Sequence, residues 1–238
     1  MKTIGLIGGM SWESTQVYYR LLNQYVKKRL GGHHSAKVVL YSVDFAEIEA
    51  LQHTGDWEGT ASILCSAAQA LERAGADFIL IGTNTMHKIA DDVAAAVSVP
   101  LLHIIDITAE ALKAQNIQRV GLLGTKFTME QRFYRDRMAE HGIEVIVPTE
   151  GQRDYVHQVI YHELCQGKFQ ASSKQAFLDI AADLAEQGAE GVILGCTEIG
   201  MLIHNGQADI PLFDTTELHA KAAVEQALQD PIPYFSKI

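Results

Sequence analysis

Two apolar runs in this chain end in the same way. ILIGTNTMHK (79–88) passes through Gly82 into Thr83, Asn84 and Thr85, and VILGCTEIG (192–200) passes through Gly195 into Cys196, Thr197 and Glu198. The segments before them also match. ALERAGADFILIGTNT (70–85) lies over DLAEQGAEGVILGCTE (183–198), pairing Leu71 with Leu184, Gly75 with Gly188, Gly82 with Gly195 and Thr83 with Cys196, each pair 113 residues apart. KTIGLIGG (2–9) likewise resembles QRVGLLGT (118–125), and VPLLHIIDIT (99–108) loosely echoes IPLFDTT (210–216). Segments of shared composition also resemble one another without duplication, but a fixed offset fits two similar halves better.

The runs IGLIG (4–8), KVVLYSV (37–43), FILIG (78–82), PLLHII (100–105), RVGLLG (119–124), IEVIVP (143–148), GVILG (191–195) and IPLF (210–213) read as strands. Between most of them lie segments with apolar residues three and four apart, such as GTASILCSAAQALERAG and KQAFLDIAADLAEQG, which read as helices. This alternation predicts an α/β protein with parallel sheets. Pattern alone also admits a (β/α)8 barrel, whose half-repeats look much the same. In both architectures ligands bind at the carboxyl ends of parallel strands, where Gly8, Thr83, Gly124 and Cys196 fall.

The chain has 238 residues, 47% of them hydrophobic and 20% charged, and a net charge of −10. That length suffices for one large core or two small ones. The charge argues against nucleic acid and anionic membranes as partners, although a local cationic pocket can still serve an acidic ligand. The start has no signal-peptide pattern and no apolar span is long enough for a bilayer, so a cytoplasmic location is expected. Cys65, Cys165 and Cys196 lack the spacing of a zinc site or redox pair, and an odd number does not make a disulfide framework. His33 and His34 sit in a Gly-rich turn without partnering ligands. No metal site is therefore expected. Cys65 and Cys165 lie on helix-period segments and are expected to pack as small hydrophobes.

Cys196 is different. A residue between a parallel strand and a helix start lies near unpaired N–H groups, which bind carboxylates and lower a thiol's pKa from about 8.5. Two related halves of this kind offer one polar side chain to each side of a bound molecule. Inversion at a carbon needs that arrangement: one group removes a proton from one face and another returns a proton to the opposite face. Backbone N–H donors can stabilise the enolate-like charge that develops between the two events.

GLIGGMSWEST, GTNTMH, HELCQGKF and GCTE, in this order and at these separations, resemble the aspartate/glutamate racemase family over essentially the whole chain. The resemblance implies a cofactor-independent amino-acid racemase made of two α/β lobes related by a pseudo-twofold, with the substrate between them. It implies a first lobe of residues 1–105 plus 215–238, with the last helix packed back on it, and a second lobe of residues 106–214. Members are often homodimers and use one thiol from each lobe. Here the family's first thiol is replaced by Thr83, while Cys196 supplies the second. Threonine can return a proton but is a far poorer base, so the resemblance implies that the L-isomer of aspartate or glutamate is deprotonated more readily.

Asn84 and Thr85 match the family's carboxylate-binding segment, as do Thr197 and Glu198; helix capping is the plain alternative for each. Lys168 falls where the resemblance suggests a partner for the distal carboxylate, and Gln52 lies near where aspartate racemases tend to place an arginine. Met10 follows the glycines that let the backbone approach a ligand. GLIGGM departs from the dinucleotide pattern G-x-G-x-x-G. His87, one turn after the first motif, can either orient the site or pack, with packing slightly favoured, and Asp106 and Asp214 are expected to cap helices. Two rivals remain open: a single-thiol decarboxylase of the arylmalonate type, and an amino-acid sensor without catalysis.

Overall fold

A computed structural model of the protein describes residues 1–228; residues 229–238, which the family resemblance assigns to the first lobe, lie outside the described residues. The chain divides into two compact units. Among the described residues, one holds 1–104 and 219–228, and the other holds 105–218.

In the first unit β1 (Ile4–Gly8) lies between β2 (Val38–Ser42) and β3 (Phe78–Ile81), all parallel, and Leu101 adds an isolated bridge to Ile79. β1 and β3 are buried along their whole length, as continuous apolar runs covered on both faces must be. Side chains alternate across a strand, so Ile7, Ile79 and Ile81 enter one core with Leu64 and Leu71 of α3 (Trp57–Arg73) and Ile48 of α2 (Phe45–Thr54). Ile4, Leu6, Phe78 and Leu80 enter the opposite core. There they meet Tyr18, Leu22 and Val26 of α1 (Trp12–Leu30), which share one helix face at four-residue spacing, together with Ala220, Ala223 and Val224 of α11 (Thr215–Leu228). A short α4 (Ala90–Ala95) follows a 3-10 turn at Thr85–Ile89.

The second unit contains α5 (Ile104–Ala114, beginning at the boundary), β4 (Arg119–Leu123), α6 (Lys126–Glu130), α7 (Arg132–Glu140), β5 (Glu144–Ile146) and α8 (Glu150–His162). A 3-10 turn at Leu164–Gln166 leads to α9 (Ala171–Glu186), β6 (Val192–Leu194), α10 (Ile199–Leu202) and β7 (Leu212–Asp214). Its parallel sheet has the order β5-β4-β6-β7. With two separate sheets among the described residues, the closed-barrel alternative falls away.

The sequence repeat reappears as sheet register. Ile7 pairs with Ile81 in the first unit and Leu123 with Leu194 in the second. The next amide after each pair makes the same bond: Gly82 N–H donates to Ile7 O at 2.9 Å, and Gly195 N–H to Leu123 O at 2.6 Å. Gly82 and Gly195 are 113 apart in sequence, so the offset survives atom for atom at the strand ends.

Two local expectations are corrected. PLLHII is not a strand: only Leu101 bridges, and the helix begins at Ile104, because the Ile104 N–H finds its acceptor on His87 Nε2 at 3.2 Å rather than in a ladder. Asp106 does not cap α5. It lies inside the first turn and receives Arg137 Nε and Nη2 at 2.6 and 2.7 Å, with His141 Nε2 at 3.0 Å, a forked ion pair that outcompetes a backbone amide. Asp214 does cap, accepting from the Thr216 and Glu217 amides at 2.8 and 3.2 Å.

Candidate active site

In each unit the residue after the strand-end glycine stands out by exposure. Gly82, Asn84 and Thr85 are buried while Thr83 is half-exposed, and Gly195, Thr197 and Glu198 are buried while Cys196 is half-exposed. The paired positions are thus the parts of the two turns that meet solvent.

Thr83 is held by its own backbone. The Ile104 amide donates to His87 Nε2, which leaves Nδ1 as the protonated nitrogen, and Nδ1–H donates to Thr83 O at 2.8 Å. His87 therefore ties the Thr83 turn to the Ile104 backbone within the first unit, the orienting role that the sequence had ranked slightly behind packing. The ring also packs edge-on against His103 with centroids 4.6 Å apart. The spacing of four residues in a 3-10 turn was the only sequence signal for this role. Asn84 makes no side-chain cap to the turn it precedes, so capping does not account for it.

The other first-unit candidates are recessed. Met10 belongs to the apolar core, with 4% of its surface exposed, so its side chain contributes packing. Gly9 beside it has φ +93°, and an added Cβ would run into the backbone of Val43; the turn tolerates glycine alone. Gly9 N–H donates to Thr15 Oγ1 at 2.8 Å, fixing the loop after β1. Gln52 is buried on α2 and donates from Nε2 to Met86 Sδ at 3.1 Å.

In the second unit three predicted residues come together around one carboxylate. Cys196 Sγ donates to Glu198 Oε2 at 3.0 Å, and Thr197 Oγ1 donates to the same oxygen at 2.7 Å. Cys165, expected from sequence only to pack, is half-exposed and donates from Sγ to Glu198 Oε1 at 3.7 Å. Nothing in the spacing of 165 and 198 announces this contact. Glu198 makes no side-chain cap to α10. Lys168 is exposed three residues beyond Cys165, where Nζ donates to Gln166 Oε1 at 2.7 Å.

The electrostatics reverse one expectation. Burial pushes the Cys196 thiol well above its ordinary range, and the charges of Glu198 and Cys165 push it further the same way. The helix that was to lower it, α10, has only four residues, too few for a sizeable dipole, and an anionic side chain precedes it. These surroundings favour the thiol form of Cys196 over the thiolate.

Comparison with known proteins gives the family. The model of the Asp/Glu/hydantoin racemase family matches residues 7–223. A candidate Asp/Glu racemase from Yersinia pestis is 55% identical, with TM-score 0.89 over 96% of this chain and 100% of that one. An aspartate racemase homologue from Pyrococcus horikoshii OT3 is 38% identical, with TM-score 0.84 over 96% and 100% of the two chains. The broad-specificity amino-acid racemase RacX of Bacillus subtilis (strain 168) is 26% identical over 230 residues, 94% of this chain and 98% of that one. A family match across nearly the whole chain places this protein in the Asp/Glu/hydantoin racemase family, as an amino-acid racemase.

Proposed function

We propose that the protein racemises aspartate or glutamate without a cofactor, Cys196 removing the α-proton of the L-isomer and Thr83 delivering a proton to the other face. The observation that carries this reading is the equivalence of Thr83 and Cys196. Both follow the glycine whose amide closes the same strand-end bond, and both are the half-exposed residue of their turn. A thiol and a hydroxyl differ greatly as bases, so the site works unevenly. Asn84, Thr85 and Thr197 are proposed to serve the α-carboxylate, Glu198 the ammonium side, and Lys168 and Gln52 the distal carboxylate. Each lobe, residues 1–105 with 215–238 and residues 106–214, is proposed to supply one proton-transfer residue.

Thermodynamics limits how that bias can show itself. D- and L-isomers are equally stable in water, so net racemisation has equal kcat/KM in both directions. A one-sided site is revealed instead by exchange of the α-proton with solvent. Incubating each enantiomer in heavy water tests the proposal: the L-isomer should gain deuterium faster, and equal exchange of the two isomers overturns the bias. Absence of exchange on either isomer overturns the racemase reading of the pair.

One observation favours a second reading. A resting thiol that carries its proton is suited to protonating a carbanion left by loss of carbon dioxide, the chemistry of the arylmalonate type. Carbon dioxide release from substituted malonates, without α-proton exchange on amino acids, would select it.

A further inference from the structure

Cys165 and Glu198 are chemistry-bearing groups that the two-residue scheme leaves without a part in proton transfer. Glu198 is 2% exposed and its two oxygens are divided between two thiols, Oε2 taking Cys196 Sγ at 3.0 Å and Oε1 taking Cys165 Sγ at 3.7 Å. A buried carboxylate accepting from a thiol favours the form that keeps its hydrogen, since ionising the sulfur would set two negative charges against each other at low dielectric. We propose that Glu198 is a positioning residue that acts through Cys196: its carboxylate keeps the hydrogen on sulfur until a substrate ammonium arrives, while Cys165 holds the carboxylate by its other oxygen. This rests on the reading of Cys196 as the base toward the L-isomer.

Among the described residues, burial acts most on the thiol, followed by two side chains. Glu198 lies on its own turn, and Cys165 comes from the 3-10 turn at Leu164–Gln166; both raise it, in addition to burial. From neighbouring β7, the Asp214 carboxylate is engaged with the Thr216 and Glu217 amides. When an ammonium group comes beside Glu198 and Cys196, its positive charge favours the ionised sulfur. The ammonium offsets the Glu198 charge that opposed ionisation; the S–H bond then breaks with its electron pair left on sulfur, the proton leaves to solvent, and Glu198 stays a carboxylate paired with the ammonium. The thiolate takes the α-hydrogen, whose bonding pair remains on the carbon as the carbanion. The thiolate is thus generated only with substrate present, which protects it from adventitious electrophiles.

The test is alkylation of Cys196 by iodoacetamide in the substrate-free full chain, mapped by mass spectrometry from about pH 6 to about pH 10, with Cys65 as the internal control. In the wild type the labelling midpoint should lie above the ordinary thiol value of about 8.5. Glu198→Gln should lower that midpoint by about one pH unit or more, raising Cys196 labelling near neutral pH by about tenfold or more, and leave Cys65 unchanged. Glu198→Asp, which keeps the charge, should stay near the wild type. An unchanged midpoint in a folded Glu198→Gln variant overturns the proposal. Should that variant not fold, a wild-type midpoint at or below the ordinary value overturns it alone. A raised midpoint without any α-proton exchange would sink the racemase chemistry but leave the Glu198 assignment standing; exchange with an ordinary midpoint would do the reverse.

Discussion

At the scale of the residue, chemistry turns on whether a side chain carries its proton when substrate arrives. Thr83 and Cys196 occupy equivalent turns, yet only the sulfur can become a usable base. Cys196→Ser should reduce L-isomer exchange by about a thousandfold, because a hydroxyl ionises so much less readily than a thiol. Thr83→Cys should raise net racemisation by about tenfold or more by giving the second face a comparable acid and base; chiral separation of the product amino acids measures it. Since the Cys196 thiol is raised by burial and then by Glu198, its ionised fraction below the midpoint grows with pH. kcat/KM for the L-isomer should therefore climb by about tenfold per pH unit from neutral into the alkaline range. A flat profile there would show that the thiol is already ionised.

At the scale of the element, strand-end turns are built by backbone constraints that protect their geometry. Gly9 illustrates this between β1 and α1: with φ +93° and the Val43 backbone against its missing side chain, Gly9→Ala must move the chain. A loss of about 2 kcal/mol or more in urea unfolding is expected. Gly151, within the first turn of α8, has open space around it and no positive φ; alanine there should be neutral or stabilise by about 0.5 kcal/mol. The strands IGLIG and FILIG were legible because continuous apolar runs bounded by glycine are what a doubly covered parallel strand requires. PLLHII carried the same signature, yet His87 took its Ile104 amide, and a tertiary acceptor 17 residues away leaves no trace in local pattern.

At the scale of the whole molecule, the first unit is closed by chain from its far end. α11 returns Ala220, Ala223 and Val224 to the core around Ile4 and Leu6, and His219 bonds Tyr18 Oη through Nδ1 at 2.9 Å and Leu102 O through Nε2 at 2.8 Å. Burial lowers the His219 pKa from 6.5 to about 4. The unfolded chain takes up that proton first as pH falls, so this contribution is complete above about pH 6.5 and is lost toward pH 4, up to about 3 kcal/mol. Asp214 acts in the opposite sense. Burial raises it from 3.8 to about 6, so its contribution is full below pH 3.8 and lost as pH rises to about 6. Denaturant titrations from neutral pH to about pH 4 separate them: relative to the wild type, His219→Gln should flatten the acid-side loss and Asp214→Asn should steepen it. Identical slopes in all three proteins would remove both assignments.

The sequence by itself determined the α/β class, the two-fold repetition and the pairing of Thr83 with Cys196, because strand periodicity, glycine punctuation and a constant offset are written along the chain. It also named Thr197 and Glu198 as neighbours of the Cys196 sulfur. Only tertiary structure decided what state that sulfur is in. The helix start that should have acidified Cys196 is one turn long, and the Glu198 carboxylate, joined by Cys165 from 31 residues before Cys196 in the chain, accepts a hydrogen bond from the thiol instead. Ionisation depends on burial and on charges brought close by folding, and neither is a property of neighbouring letters.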